Sequence, residues 1–154
     1  MLKKTFILIF FLFVCSCGYQ PIYSKKNIAN NSFSINELQF EGDRNINLIM
    51  KKILNDYKLT KKDRNFKLKI NSNSEKVILA KNLAGDPIDF KIKVIITVEI
   101  SSKGVKKNTL QIEEDFQYSN INNKFNLKRY EKEIKNNLAE ASANQLIFRL
   151  SNIQ

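Results

Sequence analysis

Ile88-Asp89-Phe90-Lys91-Ile92-Lys93-Val94-Ile95-Ile96-Thr97-Val98-Glu99-Ile100-Ser101 is the stretch that settles the architecture. Ile88, Phe90, Ile92, Val94, Ile96, Val98 and Ile100 are all apolar at a period of two. Asp89, Lys91, Lys93, Ile95, Thr97, Glu99 and Ser101 fill the positions between them. Successive side chains of a strand point to opposite faces, so the pattern predicts one strand with a buried face and a wet face. At about 3.3 Å per residue it is long for a small domain, which places it at the centre of a curved or bulged antiparallel sheet.

Its neighbours in sequence extend that sheet. Ser102-Lys103-Gly104 predicts a turn, and residues 105–118 return as a hairpin partner. There Leu110, Ile112, Phe116 and Tyr118 share a face with Glu114, while Gln111, Glu113 and Asp115 face away. Glu114 breaks the apolar pattern and is expected where the strand runs past the core. On the other side, Gly85-Asp86-Pro87 is a turn signal. Phe66-Lys67-Leu68-Lys69-Ile70 alternates strictly and predicts a half-buried strand. Asn71 to Ser74 reads as a polar break or bulge, after which Val77 to Ala80 either resumes the strand or forms the edge. Phe33 to Phe40 is a further short strand.

Two helices complete the pattern. Asp43 is a suitable N-cap for a helix whose apolar positions are Ile46, Ile49, Met50, Ile53, Leu54 and Tyr57. Asn126 is expected to cap a second helix from about Leu127 to about Asn152. Its apolar stripe reads Leu127, Tyr130, Ile134, Leu138, Ala141, Gln145 and Phe148, with Leu146, Ile147 and Leu150 widening it. The expected fold is therefore α+β, a two-layer sandwich in the order βαβββα. Two helices pack on one face of a mainly antiparallel sheet of about four strands, and the other face stays polar.

Composition removes several classes of function. The chain of 154 residues has no His and no Trp, which rules out His-based triads and His metal sites. Glu113, Glu114 and Asp115 are adjacent carboxylates, but consecutive strand residues point to alternate faces, which separates Glu114 from the other two. No phosphate-binding loop is present. No catalytic residue, metal site or cofactor is expected, and the protein is not expected to be an enzyme. The net charge is +11, carried by 22 Lys and only 4 Arg. Abundant Lys, Asn and Ile follow AT-rich coding, and base recognition favours Arg, so nucleic acid is not the expected partner.

The N-terminus predicts where the domain works. Lys3 and Lys4 precede an unbroken apolar run from Phe6 to Val14. A basic start, a short apolar run and a small residue before the cut describe a secretory signal over residues 1–16. A spanning helix needs roughly 20 apolar residues. Cys17 follows the small Ser16, with Val14 behind it, and this resembles the bacterial lipobox, in which the cysteine is acylated and becomes the first residue. Gly18, rather than Asp, after the cysteine implies sorting to the outer membrane. Residues 17–32, with Pro21 and several Asn and Ser, read as a lipidated tether, and residues 33–154 as a single α+β domain.

Cys17-Gly18-Tyr19-Gln20-Pro21-Ile22-Tyr23 also resembles the mature start of lipopolysaccharide-assembly lipoproteins of the alphaproteobacterial type, which commonly read Cys-Gly-aromatic-x-Pro-aliphatic-Tyr. Gly42 to Tyr57 is similar to their first helix, and Asn137-Leu138-Ala139-Glu140 through Arg149-Leu150 to their last. The resemblance implies a non-enzymatic subunit of the lipopolysaccharide translocon. It would sit at the periplasmic face of the outer membrane, plug and help assemble a β-barrel partner, and assist insertion of lipopolysaccharide into the outer leaflet. The alternative is a lipoprotein scaffold of another envelope assembly or secretion machine. If the strands pair, the uncovered sheet face displays Lys67, Lys69, Lys91 and Lys93, whose ammonium groups suit the phosphates of lipid A.

Overall fold

The computed structural model describes residues 33–58, 62–102 and 105–153, with the backbone alone at 105–107. The signal at 1–16, the tether at 17–32 with Cys17, and the turn residues 103–104 lie outside the described residues. The elements are β1 (Phe33–Gly42), α1 (Arg44–Leu54), β2 (Arg64–Lys81), β3 (Pro87–Ser102), β4 (Val105–Ser119) and α2 (Lys124–Ser151). The sheet order is β1-β2-β3-β4. This is the βαβββα arrangement that the sequence predicts.

β3 is central, as its periodicity demands. Phe90, Ile92, Val94, Ile96, Val98 and Ile100 are all buried, while every residue between them is half-exposed. β2 and β4 flank it antiparallel, with Ile70 opposite Val98 and Ile112 opposite Ile96. β1 runs parallel to β2, with Leu38 opposite Leu68 and Phe40 opposite Ile70, so the sheet is mixed. A helix between two neighbouring strands returns the chain to the starting end, and α1 does so here.

β2 is one continuous strand. Asn71 to Ser74, expected as a break, pairs residue by residue with Thr97 to Val94. The polar stretch exists because the start of α1 lies against it. Ser72 is buried, and its hydroxyl donates to Asn47 Oδ1 at 2.7 Å. Ser74 Oγ donates to Asp43 Oδ2 at 3.1 Å, and Asp43 Oδ1 caps α1 through the N–H groups of Asn45 and Ile46. The register shift falls later, around Ala80.

α1 buries Ile46, Met50 and Leu54, and a 3₁₀ turn at Asn55–Tyr57 carries the chain on. Tyr57 stacks on Phe33 with ring centroids 5.3 Å apart. α2 starts earlier than its expected cap. Asn123, not Asn126, is the N-cap, accepting from the N–H groups of Phe125 and Asn126. Its buried face also departs from the expected stripe. Leu138 is followed inward by Ala139, Ser142, Ala143, Leu146 and Leu150, whereas Ala141 and Phe148 are exposed. The expected stripe repeats every seven residues, and a straight helix drifts by roughly 20° per heptad against such a repeat. Ala139, Ser142 and Ala143 are small, and α1 packs against this helix. The guanidinium of Arg64 donates to the carbonyl oxygens of Ile153 and Ser151, tying the end of α2 to the start of β2.

Candidate functional site

The sheet face away from the helices is polar, because the residues that alternate with the core positions of β2 and β3 are mostly charged or hydroxylated. Lys67, Lys69, Lys91 and Lys93 all lie on it, because each alternates with a buried residue of β2 or β3. Register decides their spacing. Lys67 is opposite Ser101 and Lys69 opposite Glu99, whereas Lys91 and Lys93 lie opposite Val77 and Glu75. Glu99 and Lys93 are six residues apart on β3, or about 20 Å at 3.3 Å per residue. The four lysines therefore form two pairs at separate places on the face, not one cluster.

Each ammonium also meets a carboxylate on the neighbouring strand. Lys67 pairs with Glu37 at 3.0 Å and Lys69 with Glu41 at 3.0 Å. Lys91 pairs with Asp115 at 3.2 Å and Lys93 with Glu113 at 2.7 Å. The hydrogen bond from Lys67 holds the Glu37 carboxyl below its ordinary range. The hydrogen bonds to Glu41 and Glu113 raise Lys69 and Lys93, so both stay charged at every physiological pH. These are exposed pairs in high dielectric, and they hold side chains in place more than they stabilise the fold. An ammonium has three donors, so each lysine keeps donors for a second acceptor. Glu113 and Asp115 thus serve as partners of lysines.

Glu114 is on the helix side, opposite the buried Val94, and not beyond the core. Its half-exposure has another cause. β4 is the edge strand, and α2 leaves much of it uncovered, as Phe116 at 45% exposure on the same face demonstrates.

Two features escape the sequence. The first joins β2, β4 and α2. Glu131 Oε1 accepts from Lys76 Nζ at 2.6 Å and from Tyr118 OH at 2.7 Å, while the Lys76 ammonium sits 3.8 Å from the centroid of the Phe90 ring. Burial raises the Glu131 carboxyl, but the hydrogen bonds from Lys76 and Tyr118 outweigh it and leave it below its ordinary value. Burial and the neighbouring Glu131 together push the Tyr118 phenol well above its usual range. The second is the end of the β2–β3 hairpin, where Val77, Ile78, Leu79, Leu83 and Ile88 are all exposed. The unbroken run Val77-Ile78-Leu79-Ala80 was the available signal, since an ordinary half-buried strand alternates.

Among the described residues no group of three His, Cys, Asp or Glu could hold a metal ion. Among them, too, no helix is long and apolar enough to cross a membrane. The surface offers paired charges and exposed aliphatics, which suit binding.

The sequence matches no family profile and no curated protein. Solved structures do match. The rare lipoprotein B from Shewanella oneidensis is 14% identical with a TM-score of 0.57, over 74% of this chain and 92% of that one. A minor lipoprotein from Acinetobacter baumannii is 13% identical with a TM-score of 0.56, over 79% and 91%. Lipoprotein B from Nitrosomonas europaea is 12% identical with a TM-score of 0.57, over 79% and 86%. At these identities the likeness is one of fold, and the βαβββα sandwich seen here is the fold that these bacterial lipoproteins also adopt.

Proposed function

We propose that this chain is a lipid-anchored, non-catalytic subunit of the outer-membrane lipopolysaccharide translocon. It acts at the periplasmic face, where it plugs and helps assemble a β-barrel partner and assists insertion of lipopolysaccharide into the outer leaflet. The observation that carries this reading is the fold shared with proteins described as lipoproteins, over nearly their whole length. The start at Cys17-Gly18-Tyr19-Gln20-Pro21 supports it from the other end of the chain. Acylation of Cys17 supplies the anchor. Several acyl chains, at about 0.8 kcal/mol per buried methylene, give binding that is stable on the timescale of the cell.

The open sheet face suits the head of the glycolipid. Lys67 and Lys69 at one end, and Lys91 and Lys93 at the other, are each paired with a carboxylate on the neighbouring strand. A phosphate brings more charge than one carboxylate and can accept from the donors left over.

The test is co-purification. The full chain, tagged at its C-terminus and extracted from membranes in mild detergent, is expected to bring down one very large β-barrel protein. It is also expected to carry label from a radioactive fatty acid, and to lose it in C17A. Components of a different envelope machine on the column would overturn the translocon reading. An unlabelled product would overturn the anchor.

A further inference from the structure

We infer that the end of the β2–β3 hairpin enters the interface of an anionic phospholipid bilayer, as a contact separate from the N-terminal anchor. The inference goes beyond the translocon reading and does not depend on it.

Of the large apolar side chains exposed in the described residues, more than half sit in this one hairpin. Val77, Ile78, Leu79 and Ile88 are each 42–47% exposed, and Leu83 is fully so. Exposed apolar side chains concentrated at one end of a small domain mark a contact surface. The faces on which these residues sit decide what covers it. Ile78 pairs with Phe90 and projects to the helix side, while Val77 pairs with Lys91 and projects to the open side. The register shift around Ala80 twists the end further. A protein groove covers one face of a hairpin. Hydrocarbon has no direction and covers both faces at once.

The charges fit the same occupant. Lys81, Lys124 and Lys128 are exposed at this end of the molecule, and Lys124 borders the hollow beside Ile88. Ammonium groups on long stems beside an apolar tip match anionic headgroups. Two carboxylates are also present, and both are engaged. Asn82 Nδ2 donates to Asp86 Oδ2 at 3.3 Å, and Ser119 Oγ donates to Asp89 Oδ1 at 2.8 Å. Asp86 at the turn keeps the insertion shallow, within about 5–10 Å of the headgroup boundary. The turn itself is well formed, since Asn82 Oδ1 accepts from the N–H of Asp86 at 2.8 Å and Asn82 O from that of Gly85 at 3.0 Å. Leu83 is thus presented by a rigid turn.

The tip lies far from where the chain enters the domain. Phe33 pairs with Arg64, at the opposite end of β2 from Ile78. Fourteen residues at about 3.3 Å each separate Arg64 from Ile78 along the strand, or roughly 46 Å. The tip is therefore a different part of the domain from the end at which the chain enters it.

The absence of Trp from the chain makes the test direct. L83W in the full-length protein, reconstituted in phosphatidylethanolamine–phosphatidylglycerol vesicles containing brominated phosphatidylcholine, reads the depth of the tip. Q111W on the open face is the control. The expected result is a blue shift of L83W emission on reconstitution and its loss to shallow bromines, with neither in Q111W. Adding V77D and L79D to L83W should abolish both changes, and these exposed substitutions leave the core intact. Emission from L83W that stays at the wavelength and intensity of Q111W would overturn the inference. A blue shift that also occurs without lipid, with self-association in the ultracentrifuge, would overturn it in favour of a second copy of the chain.

Discussion

The hydroxyl of Tyr118 donates to Glu131 Oε1 at 2.7 Å, and this bond fastens the edge strand β4 to α2. The same oxygen receives Lys76 from β2, so one carboxylate holds three elements together. Tyr118 also stacks on Phe90 at 5.5 Å and meets Tyr130 edge-on at 5.8 Å. Y118F keeps the ring contacts and loses only the bond, so it is expected to cost about 1 kcal/mol in denaturant unfolding. E131Q keeps an acceptor for Tyr118 but removes the charge facing Lys76, and a similar loss is expected.

The same pair sets a pH dependence at both ends of the scale. The folded state lowers Glu131 below 4.5, so its contribution is present above that value and is lost as pH falls through the lowered folded value. The folded state raises Tyr118 above 10.0, so its contribution is present below pH 10.0 and is lost as pH rises towards the folded value. Unfolding followed from pH 9 to 12 should therefore show wild type losing stability more steeply than Y118F, as a general consequence of linkage. Parallel curves would mean that Tyr118 does not titrate with unfolding.

Gly42 and Gly85 both have positive φ, at +91° and +88°, yet alanine should act differently at each. A Cβ at Gly42 would stand 1.9 Å from the Ser72 carbonyl oxygen, which itself accepts from the N–H of Asp43 at 2.9 Å. A Cβ at Gly85 would meet nothing within 4 Å. G85A is expected to cost about 1 kcal/mol, the strain of a left-handed alanine alone. G42A must also separate β1 from β2 at the start of α1, and a loss of more than about 3 kcal/mol is expected. Equal effects in thermal unfolding would show that the approach of Gly42 to Ser72 is not constrained.

The architecture was legible where one residue's neighbours fix its burial. From Phe90 to Ile100 every second side chain of β3 is buried, so its period of two was visible, whereas Ile88, which the same period puts on the buried face, is exposed at the hairpin end. The same holds for Ile46, Met50 and Leu54 of α1. What could not be read depends on partners distant in sequence. The parallel pairing of β1 with β2 leaves no mark on either strand alone. Ser72 reads as a loop residue until α1 is placed over it. The faces of Lys67, Lys69, Lys91 and Lys93 followed from alternation, but their separation and ion pairs followed from register, which alternation does not specify.

Ser142 lies between the helices with its hydroxyl buried and without a hydrogen-bond partner. A buried polar group with no partner costs free energy that a methyl group does not. S142A is therefore expected to leave stability unchanged or to raise it by up to about 1 kcal/mol. S142V, larger by more than the site's close packing allows, should instead lose about 1–3 kcal/mol. A clear loss in S142A would mean that the hydroxyl is paired in solution, through water.

The proposed contact with glycolipid phosphate turns on Lys91 and Lys93, because their partners on β4 can be removed without touching them. E113Q and D115N together release both ammoniums from their carboxylates while leaving the strand pairing of β3 with β4 in place. If these lysines meet phosphate, lipopolysaccharide binding by the full chain should tighten in E113Q/D115N and weaken in K91Q/K93Q. Each ammonium near an anionic surface is worth about fivefold in affinity. Both double variants should unfold like wild type, since exposed ion pairs contribute little to stability. Raising salt should weaken binding by wild type and E113Q/D115N more than by K91Q/K93Q, because screening acts on the charges that remain. If K91Q/K93Q binds as tightly as wild type while E113Q/D115N changes nothing, the Lys91 and Lys93 pairs are solvated surface, and the phosphate site must be sought elsewhere on the domain.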